Sequence, residues 1–165
     1  MTRTLRFAAL ALFLASPVYA FMLDIPLSRN ADESDAVVRA TVTSRSSHWA
    51  ESGPRIIVTD VTVKVSETWK GSLALGQELT FRVNGGEVDG MGMRQEHQAV
   101  FADHEDVVLF LKTTPSARWS VNYDEQGKFA VREDQVVGAK GDVGSLRTFR
   151  TSVKQMVQAA PKRDH

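Results

Sequence analysis

A long alternating segment, Ile56 to Trp69 (IIVTDVTVKVSETW), restricts the folds open to this chain more than any other feature. Its odd-numbered positions are mostly apolar, from Ile57 through Val61 to Trp69, and polar residues stand between most of them. A period of two residues predicts a β-strand with one buried face. Strands usually have about five or six residues, so we expect a strand this long to bend around its core, as the strands of a β-barrel do.

Three further segments are predicted strands. Ala36 to Ser44 and Gln77 to Asn84 both alternate apolar and polar residues, which again predicts one buried face for each. Asp106 to Lys112 (DVVLFLK) is instead a short apolar run, typical of a strand that is buried on both faces or that closes a barrel.

The rest of the chain adds a predicted hairpin and a predicted helix. Ala117 to Tyr123 and Lys128 to Arg132 are expected to pair with each other around a turn at residues 124–127. Between Gly144 and Ala159 apolar residues recur every three or four positions, which predicts an amphipathic helix. Several strands followed by one helix predict an all-β barrel, or a small α+β domain.

Residues 1–20 have the three parts of a secretory signal peptide. Two arginines precede an apolar run, Phe7 to Leu14, and Val18 to Ala20 is a small-residue cleavage site. The run is much shorter than the roughly 20 residues of a membrane-spanning helix. We therefore expect an exported protein, periplasmic or extracellular, that starts at Phe21 and has no transmembrane segment after cleavage. The predicted parts are the signal peptide (1–20), an N-terminal segment (21–35), the barrel (36–140) and the helix with its tail (141–165).

Charge and cysteine content exclude several classes of function. Residues 1–20 contain two of the twenty basic residues and none of the twenty acidic ones, so the expected mature chain carries a formal charge of −2. A nearly neutral chain gives no electrostatic reason to expect nucleic acid or an anionic membrane as a partner. The chain has no cysteine, which excludes disulfides, thiol nucleophiles and thiolate zinc sites.

The best cluster of potential metal ligands is formed by Glu96, His97 and His104, with further carboxylates nearby. Zinc accepts such groups. The two histidines are seven positions apart, which matches neither a helical i,i+4 pair nor the short loop spacing of zinc motifs. A solvated polar loop and a weak metal site both stay open, and the second would make the chain a small-ligand or metal-binding module of the cell envelope.

Catalytic motifs are missing from the sequence. No G-x-S-x-G elbow places a serine beside a histidine. The glycine-rich stretch from Gly85 to Gly92 has neither the Lys-Ser/Thr pair nor the strand-to-helix context of a phosphate-binding loop, and predicts a bent or bulged strand instead. We therefore expect a non-enzymatic protein without a cofactor.

Two places carry apolar side chains that a barrel core does not obviously need. Ser44 to Arg55 is a predicted polar loop, and it contains His48 and Trp49. A tryptophan there either anchors a contact with a partner or folds back over the barrel mouth. The residues Phe21, Met22 and Leu23 at the expected N-terminus likewise either dock on the barrel or contact a partner.

The order of these pieces resembles a known family. Asp35 to Val42 (DAVVRATV), a polar loop, and an alternating strand that ends in Trp69-Lys70-Gly71 are similar to the N-terminal domain of tissue inhibitors of metalloproteinases. The chain also resembles exported bacterial proteins associated with matrixin-type metalloproteases, in these pieces and in Gly85-Gly86, Phe101, Glu105 to Leu111 and Gly127-Lys128-Phe129. The resemblance covers roughly Asp35 to Val131.

The resemblance implies an OB-like, netrin-like barrel of five strands, closed or partly open, with a C-terminal helix. It implies a protein partner, best an exported metalloprotease, and an inhibitor-like or accessory role. The partner surface would combine Phe21 to Leu23 with the loop from Ser44 to Arg55. The eukaryotic inhibitors chelate the protease zinc through an N-terminal cysteine, whereas position 21 here is Phe and the chain has no cysteine.

Overall fold

The computed structural model describes residues 24–160. The expected signal peptide and the residues Phe21, Met22 and Leu23 lie outside the described residues. In chain order the elements are α1 (Leu27–Glu33), β1 (Ala36–Trp49), β2 (Ile57–Lys70), β3 (Glu78–Asn84), β4 (Gly86–Val88), β5 (Met91–Met93), β6 (Asp106–Thr113), β7 (Trp119–Val121), a 3-10 turn (Asp124–Gly127), β8 (Lys128–Arg132), β9 (Gln135–Gly138), β10 (Gly141–Ser145) and α2 (Leu146–Ala159).

Five strands form a closed barrel in the order β1, β2, β3, β7 and β6, because β6 pairs back with β1. The ladder between β1 and β2 is the longest, and β1 also pairs with β6 from Ala36 to Thr41. The seam between β3 and β7 consists of one parallel pair, Phe81 with Trp119. The prediction of an OB-like β-barrel with a C-terminal amphipathic helix is confirmed.

The barrel interior is built from the inward positions of the alternating strands. Val38, Val61, Phe81 and Leu109 are almost completely buried there, each from a different strand. Burying side chains of this size contributes about 1.5–3 kcal/mol each. The two-residue period of β1, β2 and β3 therefore supplies the barrel core.

Two residues of β2 interrupt this period, Ser66 and Trp69, the latter because Val37 pairs with Lys70 and Val38 with Thr68. Arg39 pairs with Glu67, and the next β1 residue pairs with Val65, so Ser66 is an extra residue in β2. An extra residue turns the following side chains to the opposite face. Trp69 consequently packs outside the barrel, against Phe149 of α2, and the expectation that it shares the inner face with Val61 and Val65 is wrong.

A second core lies between the barrel wall and the helices. The continuous apolar run in β6 explains it, because Val108 and Phe110 point outward to this core while their neighbours point into the barrel. The prediction of a strand buried on both faces is confirmed. Helix α2 covers this core with Phe149 and Val153, and Ser145 caps its first turn by accepting a hydrogen bond from the Thr148 N–H.

The predicted hairpin between residues 117–123 and 128–132 is wrong. Both segments pair with β6 instead, Val121 opposite Leu111 and Lys128 opposite Leu109. They are two parts of one interrupted strand, with the 3-10 turn bulging out between them. A partner strand as long and apolar as β6 satisfies the backbone of both parts, whereas a hairpin at this turn would leave that edge of β6 unpaired.

Candidate functional site

The β1–β2 hairpin extends beyond the barrel at one end, which we call the hairpin end. After Thr41 has paired with β6, β1 continues to Trp49, and its last residues pair with Ile57 to Val61 of β2. The predicted loop from Ser44 to Arg55 is therefore wrong in extent, because the connection covers only residues 50–56. Polar residues such as these stay in strand form when a partner strand continues the ladder.

A second extra residue decides which side chains of the hairpin end face inward. Val42 pairs with Val63 and Ser44 pairs with Thr62, so Thr43 is inserted in β1. Beyond it the odd-numbered residues face inward, and Trp49 shares that face with Arg45. His48 faces the opposite side. The structure thus places His48 and Trp49, predicted together as one contact point, on opposite faces of the hairpin.

The outer face at the hairpin end carries a charged cluster of His48, Asp60 and Arg82. Asp60 accepts hydrogen bonds from Arg82 Nε at 2.7 Å and Nη2 at 3.0 Å, and from His48 Nε2 at 3.0 Å. His48 Nδ1 also donates to the Trp49 carbonyl oxygen at 3.0 Å. Both ring nitrogens face acceptors, an arrangement that favours the imidazolium form.

These contacts change the proton affinities of the cluster. The hydrogen bonds from Arg82, with a further one from His48, lower the pKa of Asp60 to about 2 although partial burial opposes the change. The hydrogen bond with Asp60 and the one to the Trp49 carbonyl raise the pKa of His48. The cluster holds fixed charge on a strand surface and contains no nucleophile beside the histidine.

The inner face at the hairpin end borders an open cleft of about 680 Å³, which we call the mouth cleft. Its floor contains the buried apolar residues Val61, Val83 and Phe101. Polar side chains join them from β1 and β2, and further walls come from the β4–β5 hairpin and from parts of residues 94–101. Clefts of about 300–1,000 Å³ are the usual size of binding sites.

One wall of the mouth cleft depends on a glycine. Thr59 Oγ1 donates to the Gly85 carbonyl oxygen at 2.6 Å and lies 2.9 Å from Ser47 Oγ. A Cβ at Gly86 would lie 2.4 Å from Thr59 Oγ1 and 2.5 Å from Ser47 Oγ, and the residue has a φ of 136°. Only glycine lets β4 approach the hairpin this closely. The glycine-rich stretch, predicted to be a bent or bulged strand, forms the β4–β5 hairpin.

The opposite wall, the segment that ends at β6, is tied to the barrel by two cations. Arg45 makes two hydrogen bonds with the Asp103 carboxylate, at 2.9 and 3.0 Å, and donates to the Phe101 carbonyl oxygen at 2.7 Å. The mostly buried Lys128 contacts Glu105 at 2.6 Å and donates to the Val100 carbonyl oxygen at 2.7 Å. These contacts tie the wall to β1 and β8.

Apolar side chains lie exposed around the mouth cleft. Val100, on its wall, is 61% exposed, and Met91, on the β4–β5 hairpin, is 48% exposed. Trp49 is half-buried, with the Arg55 guanidinium 4.6 Å from the centre of its ring. Trp49 is therefore neither part of the barrel core nor folded into the cleft.

The candidate metal ligands are not brought together. His97 Nδ1 lies 3.0 Å from Glu125 Oε1, Glu96 is exposed, and His104 uses its backbone N–H to bond Val42. Within residues 24–160 no three His, Asp or Glu side chains form a group that could hold a metal ion.

The chain enters the described structure beside the 3-10 turn and the connection between β9 and β10. Asp24 forms an ion pair with Lys140 at 2.8 Å, and the Ile25 N–H bonds Gln126 Oε1 at 2.9 Å. The sequence predicts one surface formed by Trp49 together with Phe21, Met22 and Leu23. This stays a prediction, because the last three residues lie outside the described part of the chain.

The residues of the mouth cleft itself could not be predicted from the sequence. Arg45 and Ser47 fall in the segment with the pattern of a loop, and nothing in their identity signals the insertion at Thr43. Thr59 did carry a signal, because it is a polar residue at an inward position between Ile57 and Val61.

The fold and site define the chain as an OB-like β-barrel with an open cleft at one end. Neither helix in the described range is long and apolar enough to cross a membrane. Comparisons with protein-family models, with curated proteins and with solved structures found no match to this chain.

Proposed function

We propose that this chain is an exported, non-enzymatic β-barrel that binds a protein partner at its hairpin end. The observation that carries the proposal is the mouth cleft, whose rim includes the exposed Val100 and whose inner face continues to Trp49. Exposed apolar side chains around a concave surface are typical of protein contact sites. Tryptophan and arginine, here Trp49 and Arg55, are the residues most often found as contact anchors.

A binding role fits the chemistry of the cleft better than catalysis does. Ser47 and Thr59 bond each other and a backbone carbonyl, and the histidine of the hairpin end lies on the other face. A hydroxyl nucleophile needs a base within hydrogen-bond reach. The polar groups of the cleft instead hold its walls together.

An exported metalloprotease is the partner class we propose, in an inhibitor-like or accessory role. This part rests on the resemblance of residues 35–131 to the inhibitor barrel and on the expected signal peptide at residues 1–20. Phe21, Met22 and Leu23 would add contacts if they reach the hairpin end. Without an N-terminal cysteine, contacts by the barrel itself carry more of the binding.

Affinity capture tests the proposal. Immobilised mature chain (21–165) is incubated with exported proteins of the native cell, and captured proteins are identified by mass spectrometry. We expect a metalloprotease that is lost with Trp49→Ala and kept with Leu75→Ala. Leu75 is a suitable control because it is 80% exposed and lies on the β2–β3 connection. Equal capture by both variants would contradict the proposed surface, and adding the chain to the captured protease separates inhibition from an accessory role.

A further inference from the structure

We propose that the mouth cleft receives an extended loop of the protein partner, which places a large apolar side chain on the cleft floor and a carboxylate beside Arg94. The inference rests on the proposed function and names the chemistry by which the partner is recognised.

The proposed apolar side chain of the partner is inferred from the residues on the floor of the cleft. Val61, Val83 and Phe101 are each less than a tenth exposed, yet all three border the cleft. The Phe101 ring is held edge-on against Phe81, with 5.3 Å between ring centres, so its position is fixed. The volume of about 680 Å³ exceeds one side chain and leaves room for the main chain on both sides of it.

The proposed carboxylate of the partner is inferred from the cleft residues that still have free hydrogen-bonding capacity. Arg45 is committed to Asp103 and the Phe101 carbonyl. Arg94 and Glu87 also line the cleft, and neither makes an ion pair or side-chain hydrogen bond with any residue between 24 and 160. Glu87 pairs with Gly92 across the β4–β5 hairpin and Arg94 follows β5 directly, so the hairpin brings both charges to the cleft.

An extended peptide matches this pair of charges. An acidic side chain offers a carboxylate to Arg94, for which the planar guanidinium is well suited. Main-chain N–H groups of the same peptide are donors for Glu87. Because hydrogen bonds already hold both walls, the cleft loses little conformational entropy when the loop enters, which favours affinity.

Gly92 allows the cleft to be blocked without disturbing the fold. A Cβ at this position meets nothing within 4 Å, and its φ lies outside the left-handed region. Gly92→Phe therefore places a ring over the cleft. Met91→Phe is the matched control, because Met91 is the neighbouring residue, is 48% exposed and does not line the cleft.

The probe is a blocked tetrapeptide with the sequence alanine, phenylalanine, aspartate, alanine, titrated into the isotope-labelled mature chain and followed by amide chemical shifts. We expect saturable shifts at Val61, Val83 and Ala99 in the unmodified chain and in Met91→Phe, and none in Gly92→Phe. Replacing the peptide's phenylalanine by alanine should weaken binding about tenfold or more. Replacing its aspartate by asparagine should weaken it about threefold, and should have no effect in Arg94→Gln.

Absent shifts at about 5 mM peptide, or shifts confined to other surfaces, would overturn the inference. The capture experiment separates the two proposals. If Trp49→Ala loses the partner while Gly92→Phe keeps it, the hairpin end binds the partner and the cleft inference falls. If Trp49→Ala keeps the partner but the peptide shifts appear as described, the proposed surface falls and the cleft remains a peptide site.

Discussion

Ser47 Oγ lies 2.9 Å from Thr59 Oγ1 across the β1–β2 ladder, and the two hydroxyls fill the space that a side chain at position 86 would need. The pair joins the hairpin end to the β4–β5 hairpin, so the shape of the mouth cleft depends on a backbone approach that few residues permit.

Gly86→Ala should therefore destabilise the protein by about 2–4 kcal/mol, because it combines a steric clash with an unfavourable backbone conformation. Gly92→Ala, on the same hairpin, should change the free energy of unfolding by less than about 0.5 kcal/mol. Urea denaturation measures both. A Gly86→Ala variant as stable as the unmodified chain would show that β4 does not pack on Ser47 and Thr59.

Lys128→Met should loosen the wall of the mouth cleft. The substitution leaves the Glu105 carboxylate, only 16% exposed, without its cation, and we expect a loss of about 2 kcal/mol. Adding Glu105→Gln should restore part of that stability, because the unpaired charge is removed. Lys112→Met, at an exposed position, is the control. If the effects of Lys128→Met and Glu105→Gln on the free energy of unfolding simply add in the double variant, the two side chains do not form a stabilising ion pair.

Low pH should reduce the stability that Asp60 contributes on the outer face of the hairpin end. The pKa of Asp60 is lowered from 3.8 to about 2 in the folded chain, so its contribution is present above about pH 4 and is lost as the pH falls to about 2. Because Asp60 is about one-third exposed, solvent screening reduces this contribution to about 1 kcal/mol. The difference in free energy of unfolding between the unmodified chain and Asp60→Asn should shrink as the pH falls from about 4 to about 2. A difference that stays constant over this interval would contradict the lowered pKa of Asp60.

His48 should titrate above its ordinary value of 6.5, because its pKa is raised by Asp60. A raised folded pKa means that the stabilisation is complete below about pH 6.5 and disappears as the pH rises through the folded value. Proton NMR of the imidazole follows the titration directly. In Asp60→Asn the midpoint should move down toward 6.5, and an unchanged midpoint would contradict the contact between the two side chains.

The parts of this fold that depend on residue period could be predicted from the sequence. Alternation between Ile57 and Val65 predicts an inward face, and apolar spacing from Leu146 to Val153 predicts a helix packed on one side. Closure into a barrel follows from the length of β2 and the apolar run of β6.

The register of the strands was beyond sequence reasoning. Ser66 and Thr43 are ordinary strand residues, and their insertion is favoured only by the pairing of neighbouring strands. Each insertion reverses the faces of the strand residues after it, so Trp69 and Trp49 could not be assigned to a side from the sequence. The pairing of β7 and β8 with β6, rather than with each other, is likewise a property of the assembled barrel.

The insertion at Thr43 decides which single deletions the hairpin end tolerates. Removing Thr43 itself would leave Val42 opposite Val63 and Ser44 opposite Thr62 in a regular ladder, so the imidazole and the indole beyond it would keep their sides. Removing a residue between Thr43 and His48 while the bulge is kept would instead exchange the two sides. The position of a lost codon therefore decides which surface the hairpin end presents.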